Sequence, residues 1–423
     1  MRLLVICINY APEIISTGLY TTGLAEYMQQ DGVETDVITA LPYYPAWKTF
    51  EGWRRPFWKS RRSENGVRVV HCPIYVPRNP TGSRRILHYI SFALSALPVG
   101  LWKGLRRRPD VVVMVAPSLI AFPVALGAAK LGGGASWLHI QDYEVEAAFA
   151  TGLLREDGRV GRAAKAFEKW VLGRFDRISS ISAPMLDKLR DKGVVDERIY
   201  ELRNWANLEK VTPLTAPSPL KDELGIKTRH VALYSGNLAN KQGLELLPQM
   251  ARHLRHREDL TIAICGDGPM RAPLQKMARD LPMIRFFPLQ PIEKLSDLLG
   301  MADVHLLPQI AGAADLVLPS KLTNMLASGR PMIATTTADT ALGREVEGVG
   351  RLVPPGDPRA MAKALEELLD APEERKCLGA AARQRAIERW DMTAILSRLR
   401  NEFETLSGTP AEAECSLDSS RKI

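Results

Sequence analysis

Two lysines sit where an anion could be held. Lys241 follows the small-residue turn Ser235-Gly236-Asn237-Leu238-Ala239-Asn240, which closes the β-rich run Val231-Ala232-Leu233-Tyr234. Lys321 follows Pro319-Ser320 at the start of a helical pattern that stops at Ser328-Gly329-Arg330-Pro331, just before an apolar run. A lysine ammonium beside free backbone amides suits a diphosphate, because the point charge and the helix-end dipoles act on the same oxygens. Gly266-Asp267-Gly268-Pro269 ends another apolar run with two glycines flanking an acid, and Gly18 stands near the start of a helical pattern after Asn9-Tyr10-Ala11-Pro12-Glu13. Glycine at such a place lets backbone amides approach an anion. The plain alternatives are a solvated lysine, an N-cap serine and glycines that serve only tight turns.

The acids are sparser. Asp315 lies shortly before the Ser320-Lys321 pair, where its carboxylate can accept hydrogen bonds from sugar-type hydroxyls. Asp142 lies beyond the run Ser136 to Ile140, at the carboxyl end where open parallel sheets bind ligands. His139 and Gln141, two apart, share a face; a buried, hydrogen-bonded core role is the alternative for the histidine. No G-x-G-x-x-G follows the first strand and no acid closes the second at Thr39-Ala40, which argues against a nicotinamide enzyme. Cys7, Cys72, Cys265, Cys377 and Cys415 lie too far apart for a metal pair or a secreted disulfide framework, and fit a reducing cytoplasm.

These residues need elements to hold them. At 423 residues, 46% apolar and 25% charged, the chain is globular and long enough for two domains. Strand-like runs at Leu3 to Ile8, Thr35 to Thr39, Val67 to His71, Val111 to Val115, Ser136 to Ile140 and Arg177 to Ile181 alternate with helical patterns. A second series runs through His230 to Tyr234, Leu260 to Cys265, Ile284 to Phe287, Val304 to Leu307 and Pro331 to Thr335. Such alternation predicts an α/β protein with two Rossmann-like domains, their active cleft at the carboxyl ends of the strands. The boundaries are set at 1–207, a proline-rich linker at 208–219, a second domain at 220–382, closing helices at 383–406 and a disordered polar tail at 407–423.

The net charge of +8 is modest, but cations cluster with aromatics. Trp47, Phe50, Trp53, Phe57 and Trp58 interleave with Lys48, Arg54, Arg55, Lys59, Arg61 and Arg62, a composition suited to a bilayer interface. Ile86 to Trp102 is nearly continuous apolar sequence between arginines, short of the roughly 20 residues that span a bilayer. It is either a helix packed on the first sheet or one lying at an anionic surface. Phosphate or lipid headgroups are favoured as partners over nucleic acid.

Taken together, His139-Ile140-Gln141-Asp142-Tyr143-Glu144, Gly266-Asp267-Gly268-Pro269 and Leu318-Pro319-Ser320-Lys321-Leu322 resemble the retaining GT-B glycosyltransferases of family four. The likeness extends over nearly the whole chain, and within the family it is to the colanic-acid-type exopolysaccharide transferases. The resemblance implies a nucleotide-diphosphate sugar donor, with GDP-fucose suggested by the subgroup, and a polyprenyl-diphosphate-linked saccharide acceptor at the inner membrane. It implies no cofactor and no metal, in keeping with the absence of any Asp-x-Asp. Donor contacts would fall on Gly18, Gly236, Asn237, Lys241, Gly266, Ser320, Lys321, Leu322 and Asn324, with Asp142 and Asp315 as catalytic acids. His139, Gln141, Glu144, Trp47, Trp53 and Trp58 would serve the acceptor or the membrane.

Three positions depart from the family pattern. Asn237 stands where relatives often carry arginine, which shifts the burden of charge neutralisation to Lys241 and Lys321. Asp315 and Asn324 stand for a pair of glutamates, leaving one carboxylate for the donor. Gln141 stands where many relatives close the strand with histidine. A nucleotide-sugar epimerase of the same architecture and a non-catalytic carbohydrate- or nucleic-acid-binding protein are the rival functions.

Overall fold

Long apolar runs in this chain become strands covered on both faces, as a parallel sheet demands. The computed structural model describes residues 1–13, 17–53, 57–150, 158–239, 242–310, 318–319 and 321–408. Lys241, Asp315 and Ser320 lie outside the described residues, as do Arg54, Arg55 and most of the polar tail.

The first unit comprises Met1–Ile181, Leu186–Leu202 and the chain from Thr393. Its strands are β1 (Arg2–Cys7), β2 (Glu34–Ala40), β3 (Lys59–Arg62), β4 (Arg68–Cys72), β5 (Val111–Ala116), β6 (Ala135–Ile140), β7 (Arg177–Ser180) and β8 (Ile199–Glu201). They form one eight-stranded sheet in the order β3-β4-β2-β1-β5-β6-β7-β8. Every neighbour is parallel except β3, which runs antiparallel to β4. Between the strands run α1 (Thr17–Gln30), α2 (Gly82–Arg107), α3 (Phe122–Gly132), α4 (Glu144–Ala150), α5 (Arg159–Leu172) and α6 (Ala183–Asp191).

The second unit comprises Ser182–Met185 and Arg203–Met392. Its six strands are β9 (His230–Ser235), β10 (Leu260–Cys265), β11 (Ile284–Phe287), β12 (Val304–Leu307), β13 (Met332–Thr335) and β14 (Gly350–Val353), in the order β11-β10-β9-β12-β13-β14. All pairs are parallel. Its helices are α7 (Pro219–Glu223), α8 (Leu246–His253), α9 (Arg271–Met277), α10 (Leu295–Gly300), α11 (Lys321–Ala327), α12 (Ala341–Val346), α13 (Pro358–Asp370) and α14 (Pro372–Trp390). The proline-rich stretch before α7 is held to this unit, since the Arg383 guanidinium donates to the carbonyls of Leu208 and Val211. The chain then bends at Asp391 and ends in α15 (Met392–Ser407), which returns to the first unit. There Phe403 packs edge-on to Trp137 of β6 at 5.0 Å, and Arg400 pairs with Asp31 at 2.7 Å.

Three strands were not legible as such: β3, β8 and β14. The first is the basic end of the aromatic-rich stretch Trp47 to Arg62. Lys59 to Arg62 form a short, charged, fully exposed edge strand, a form that discourages further pairing. Lys59 and Arg61 are drawn over the Trp53 ring, at 4.3 and 5.1 Å, while His71 packs on that ring at 4.6 Å.

The apolar stretch after Arg85 falls within α2, which packs on the first unit. One face is buried along α3, so close that a Cβ on Gly104 would lie 2.6 Å from the Ala128 carbonyl oxygen. From that face Lys103 pairs with Asp36 of β2, which also binds Arg68 at 3.0 Å. Burial would raise the Asp36 carboxyl, but Arg68 and Lys103 more than offset it and hold it below its ordinary value. Yet only 28% of the most apolar 18-residue stretch of α2 is buried, so its other face is open.

Candidate active site

In the second unit the carboxyl ends of β9 and β10 carry two glycine turns folded onto each other. The Gly236 N–H donates to the Cys265 carbonyl at 2.9 Å, and the Leu238 N–H to that of Asp267 at 2.9 Å. A Cβ on Gly266 would lie 1.9 Å from the Gly236 carbonyl oxygen, and one on Gly268 2.6 Å from that of Leu238. Glycine is required here because another backbone occupies the space of a side chain.

Lys321, the first residue of α11, reaches this corner. Its Nζ lies 3.6 Å from where a Gly236 Cβ would stand. It donates to the Tyr234 hydroxyl at 2.7 Å and the Gln242 side-chain oxygen at 3.1 Å, and sits 4.1 Å from the Tyr234 ring centroid. The Tyr234 hydroxyl in turn donates to the Asn237 carbonyl at 2.8 Å and contacts Gln242. No carboxylate pairs with Lys321 among the described residues. Burial pushes its ammonium down to about 7. The structure thus brings together Gly236, Asn237, Gly266 and Lys321. Asn237 is exposed, and Asn324 lies partly buried one turn along α11. The Leu322 side chain is buried in the core, and its N–H is taken by the Pro319 carbonyl at 2.9 Å.

Tyr234 and Gln242 escaped sequence reasoning. Tyr234 sits in an apolar strand and reads as core; its ring is core, but its hydroxyl emerges beside Lys321.

Only the charged form of Lys321 would hold a pyrophosphate, so binding of the nucleotide-sugar donor that the sequence resemblance implies should vary with pH. A bound anion raises the lysine's pKa, so affinity is full below about 7. It then falls by up to tenfold per pH unit as pH rises through that value. Calorimetric titration of GDP-fucose, whose pyrophosphate diester does not ionise in this range, checks this between pH 6 and 9. A flat profile would refute it.

In the first unit the sequence-selected residues separate. His139 is buried, with Nδ1 2.9 Å from the Ser179 hydroxyl and Nε2 3.0 Å from the Gln141 amide. Burial pushes the ring down to about 3, so it stays uncharged. Asp142 is exposed beyond the carboxyl end of β6. Glu144 turns inward and accepts the N–H of Leu119 at 2.9 Å and that of Ser118, a residue with φ 94°. Burial raises its carboxyl to about 7, against those two hydrogen bonds and with help from Asp142.

Gly18 serves close packing: a Cβ there would meet the Glu13 carbonyl oxygen at 3.1 Å. Glu13 is the organiser that sequence reasoning missed. Its buried carboxylate accepts the N–H groups of Tyr43 (2.7 Å) and Tyr44 (2.8 Å) and the Asn9 amide (2.8 Å), tying the loop after β1 to that after β2. Trp47 packs on Tyr43 and His88 at 5.5 and 5.2 Å, with Arg85 5.8 Å from its ring. Trp53 lies under cations as described, and the exposed Trp58 donates to the Ser95 carbonyl of α2 at 2.9 Å.

Two parallel-sheet Rossmann-like units, the second with a glycine-lined, lysine-bearing corner at its strand ends, define a GT-B glycosyltransferase. Comparison with known proteins agrees: residues 17–205 match the glycosyl transferase 4-like domain and residues 219–385 the glycosyl transferases group 1. The chain belongs to glycosyltransferase family four. It is 38% identical to the colanic acid biosynthesis glycosyl transferase WcaI of Escherichia coli, over 95% of this chain and 100% of that one. Among solved structures it resembles sucrose-phosphate synthase from Thermosynechococcus elongatus, with TM-score 0.73 at 16% identity over 97% of this chain and 100% of the other. It also resembles HepE of Anabaena in complex with UDP and glucose, with TM-score 0.68 at 15% identity over 96% and 100%. At such identities these two structures speak to the fold alone.

Proposed function

We propose that this glycosyltransferase moves a sugar, with GDP-fucose the first donor to try, onto a polyprenyl-diphosphate-linked saccharide. Configuration is retained, no metal takes part, and the product is a lipid-linked intermediate in the biosynthesis of a colanic-acid-type exopolysaccharide. The enzyme works in the cytoplasm, peripherally attached to the inner membrane. The observation that carries the proposal is the Lys321 ammonium, partly buried beside the Gly236 and Gly266 turns without a carboxylate partner among the described residues. The likeness to the Escherichia coli colanic acid biosynthesis glycosyl transferase supports the pathway.

In this reaction the bond from the anomeric carbon to the donor phosphate oxygen breaks as the acceptor oxygen bonds to the same face. The acceptor proton passes to the departing diphosphate. Negative charge grows on that diphosphate, and a preplaced cation in a poorly hydrated corner stabilises it more than the ground state. Lys241 and Ser320 are proposed to add to this neutralisation, Asn324 to bind a ribose hydroxyl and Asp315 the sugar. Asp142, exposed at a strand end, is proposed to orient the acceptor.

The test is to incubate the protein with GDP-fucose and a polyprenyl-diphosphate oligosaccharide and to determine the anomeric configuration of the product by NMR. A retained linkage, formed equally well in EDTA, is expected. An inverted linkage, or interconversion of the donor without any acceptor, would overturn the proposal.

A further inference from the structure

α5 is apolar on two sides. Its inner residues Gly161, Glu168, Val171 and Leu172 are buried. Its outer row, Val160, Ala163, Phe167 and Trp170, recurs at three- and four-residue spacing, with Val160 66%, Phe167 37% and Trp170 47% exposed. Phe122 of α3 joins this row, its ring 5.8 Å from Phe167 and 5.3 Å from Trp170. The Arg174 guanidinium lies 4.4 Å from the Trp170 ring.

The charge on this helix is one-sided. Its exposed ionisable side chains are Arg159, Arg162, Lys165 and Lys169, while its one acid, Glu168, is buried and paired with Lys192 at 2.5 Å. Ordinary solvent-facing helices mix both signs. A helix with aromatics along its outer face, a flanking row of cations and no outward acid matches the interface between water and an anionic bilayer.

Elsewhere on this unit α2 carries an outward stripe of Leu87, Leu94, Pro98, Trp102 and Leu105, all exposed. At 1.5 Å per residue that stripe is about 27 Å long.

We propose that α5 docks on an anionic lipid surface. Phe167 and Trp170 enter the interfacial layer, while Arg159, Arg162, Lys169 and Arg174 meet the headgroup phosphates. This rests on the protein being membrane-associated and names the element that makes the contact.

Co-sedimentation of the full chain with phosphatidylcholine vesicles, with and without phosphatidylglycerol, tests the proposal. The wild type should bind the anionic vesicles and lose binding in high salt. Phe167→Ser with Trp170→Ser should weaken binding more than tenfold. Arg162→Ser with Lys169→Ser should weaken it about twenty-five-fold, at roughly fivefold per cation. Both variants should stay folded and keep the wild-type affinity for GDP-fucose, because none of the four positions is buried.

Wild-type vesicle binding left intact by both variants, but lost in Leu94→Ser with Trp102→Ser, would overturn the role of α5 and leave membrane attachment standing. No wild-type binding to either vesicle would overturn both. A dimer in sedimentation velocity that the Phe167 and Trp170 changes dissolve, without vesicle binding, would make the face a contact between copies and also overturn the proposal.

Discussion

Lys321→Ala should lower the transfer rate by about a hundredfold to a thousandfold, the usual cost of removing one preorganised charge stabiliser. The same change should not weaken the fold. Burial holds the lysine near 7 in the folded protein, against 10.5 for the ordinary side chain. Below pH 7 the fold therefore carries a poorly solvated cation, a cost that fades as pH rises towards 10.5. Lys321→Met, which keeps the packing of the stem, should raise the melting temperature at pH 6 by a few degrees and have little effect near pH 10. Steady-state kinetics beside thermal melts at the two pH values read both effects. Wild-type turnover in Lys321→Ala would remove the lysine from the chemistry, and a lower melting temperature in Lys321→Met would show it to be a structural cation.

Gly266→Ala should cost about 3 kcal/mol, because the new methyl meets the fixed carbonyl of Gly236 at 1.9 Å. For a unit of this size that is a fall of roughly 6 to 12 °C in melting temperature. Donor affinity should fall with it, since Gly236, whose Cβ position lies 3.6 Å from the Lys321 Nζ, must shift to make room. Gly356→Ala is the control: with φ 76° and no atom within 4 Å of a new Cβ, it carries backbone strain alone, about 1 kcal/mol. Equal losses from the two substitutions would mean that the contact between the turns is not what demands glycine at 266.

How far the sequence disclosed this protein depended on how each residue is used. Val111 to Ala116 reads as a strand because an unbroken apolar run with four valines has few other uses, and all six residues are buried. Lys59 to Arg62 does not, because nothing in Lys-Ser-Arg-Arg prefers a strand; pairing with β4 imposes it. Lys321 could be singled out by its Pro-Ser-Lys setting. Its partner Tyr234 could not, because only its position at a strand end separates a working hydroxyl from a core ring. Glu13 was hidden for a related reason: its ligands are backbone amides of Tyr43 and Tyr44, thirty residues away, and amides leave no mark in a sequence. The outer row of α5 was invisible too, since a periodic apolar pattern shows that a helix has a greasy side without showing that it has two.

The return of α15 to the first unit affects how the chain is made. Phe403, which covers Trp137, is translated some 260 residues after it, so the early sheet waits for α15 with a tryptophan face bare. A nascent chain stalled beyond α14 would present that face to chaperones or to other chains, and a premature stop codon between α14 and α15 would damage the half encoded first.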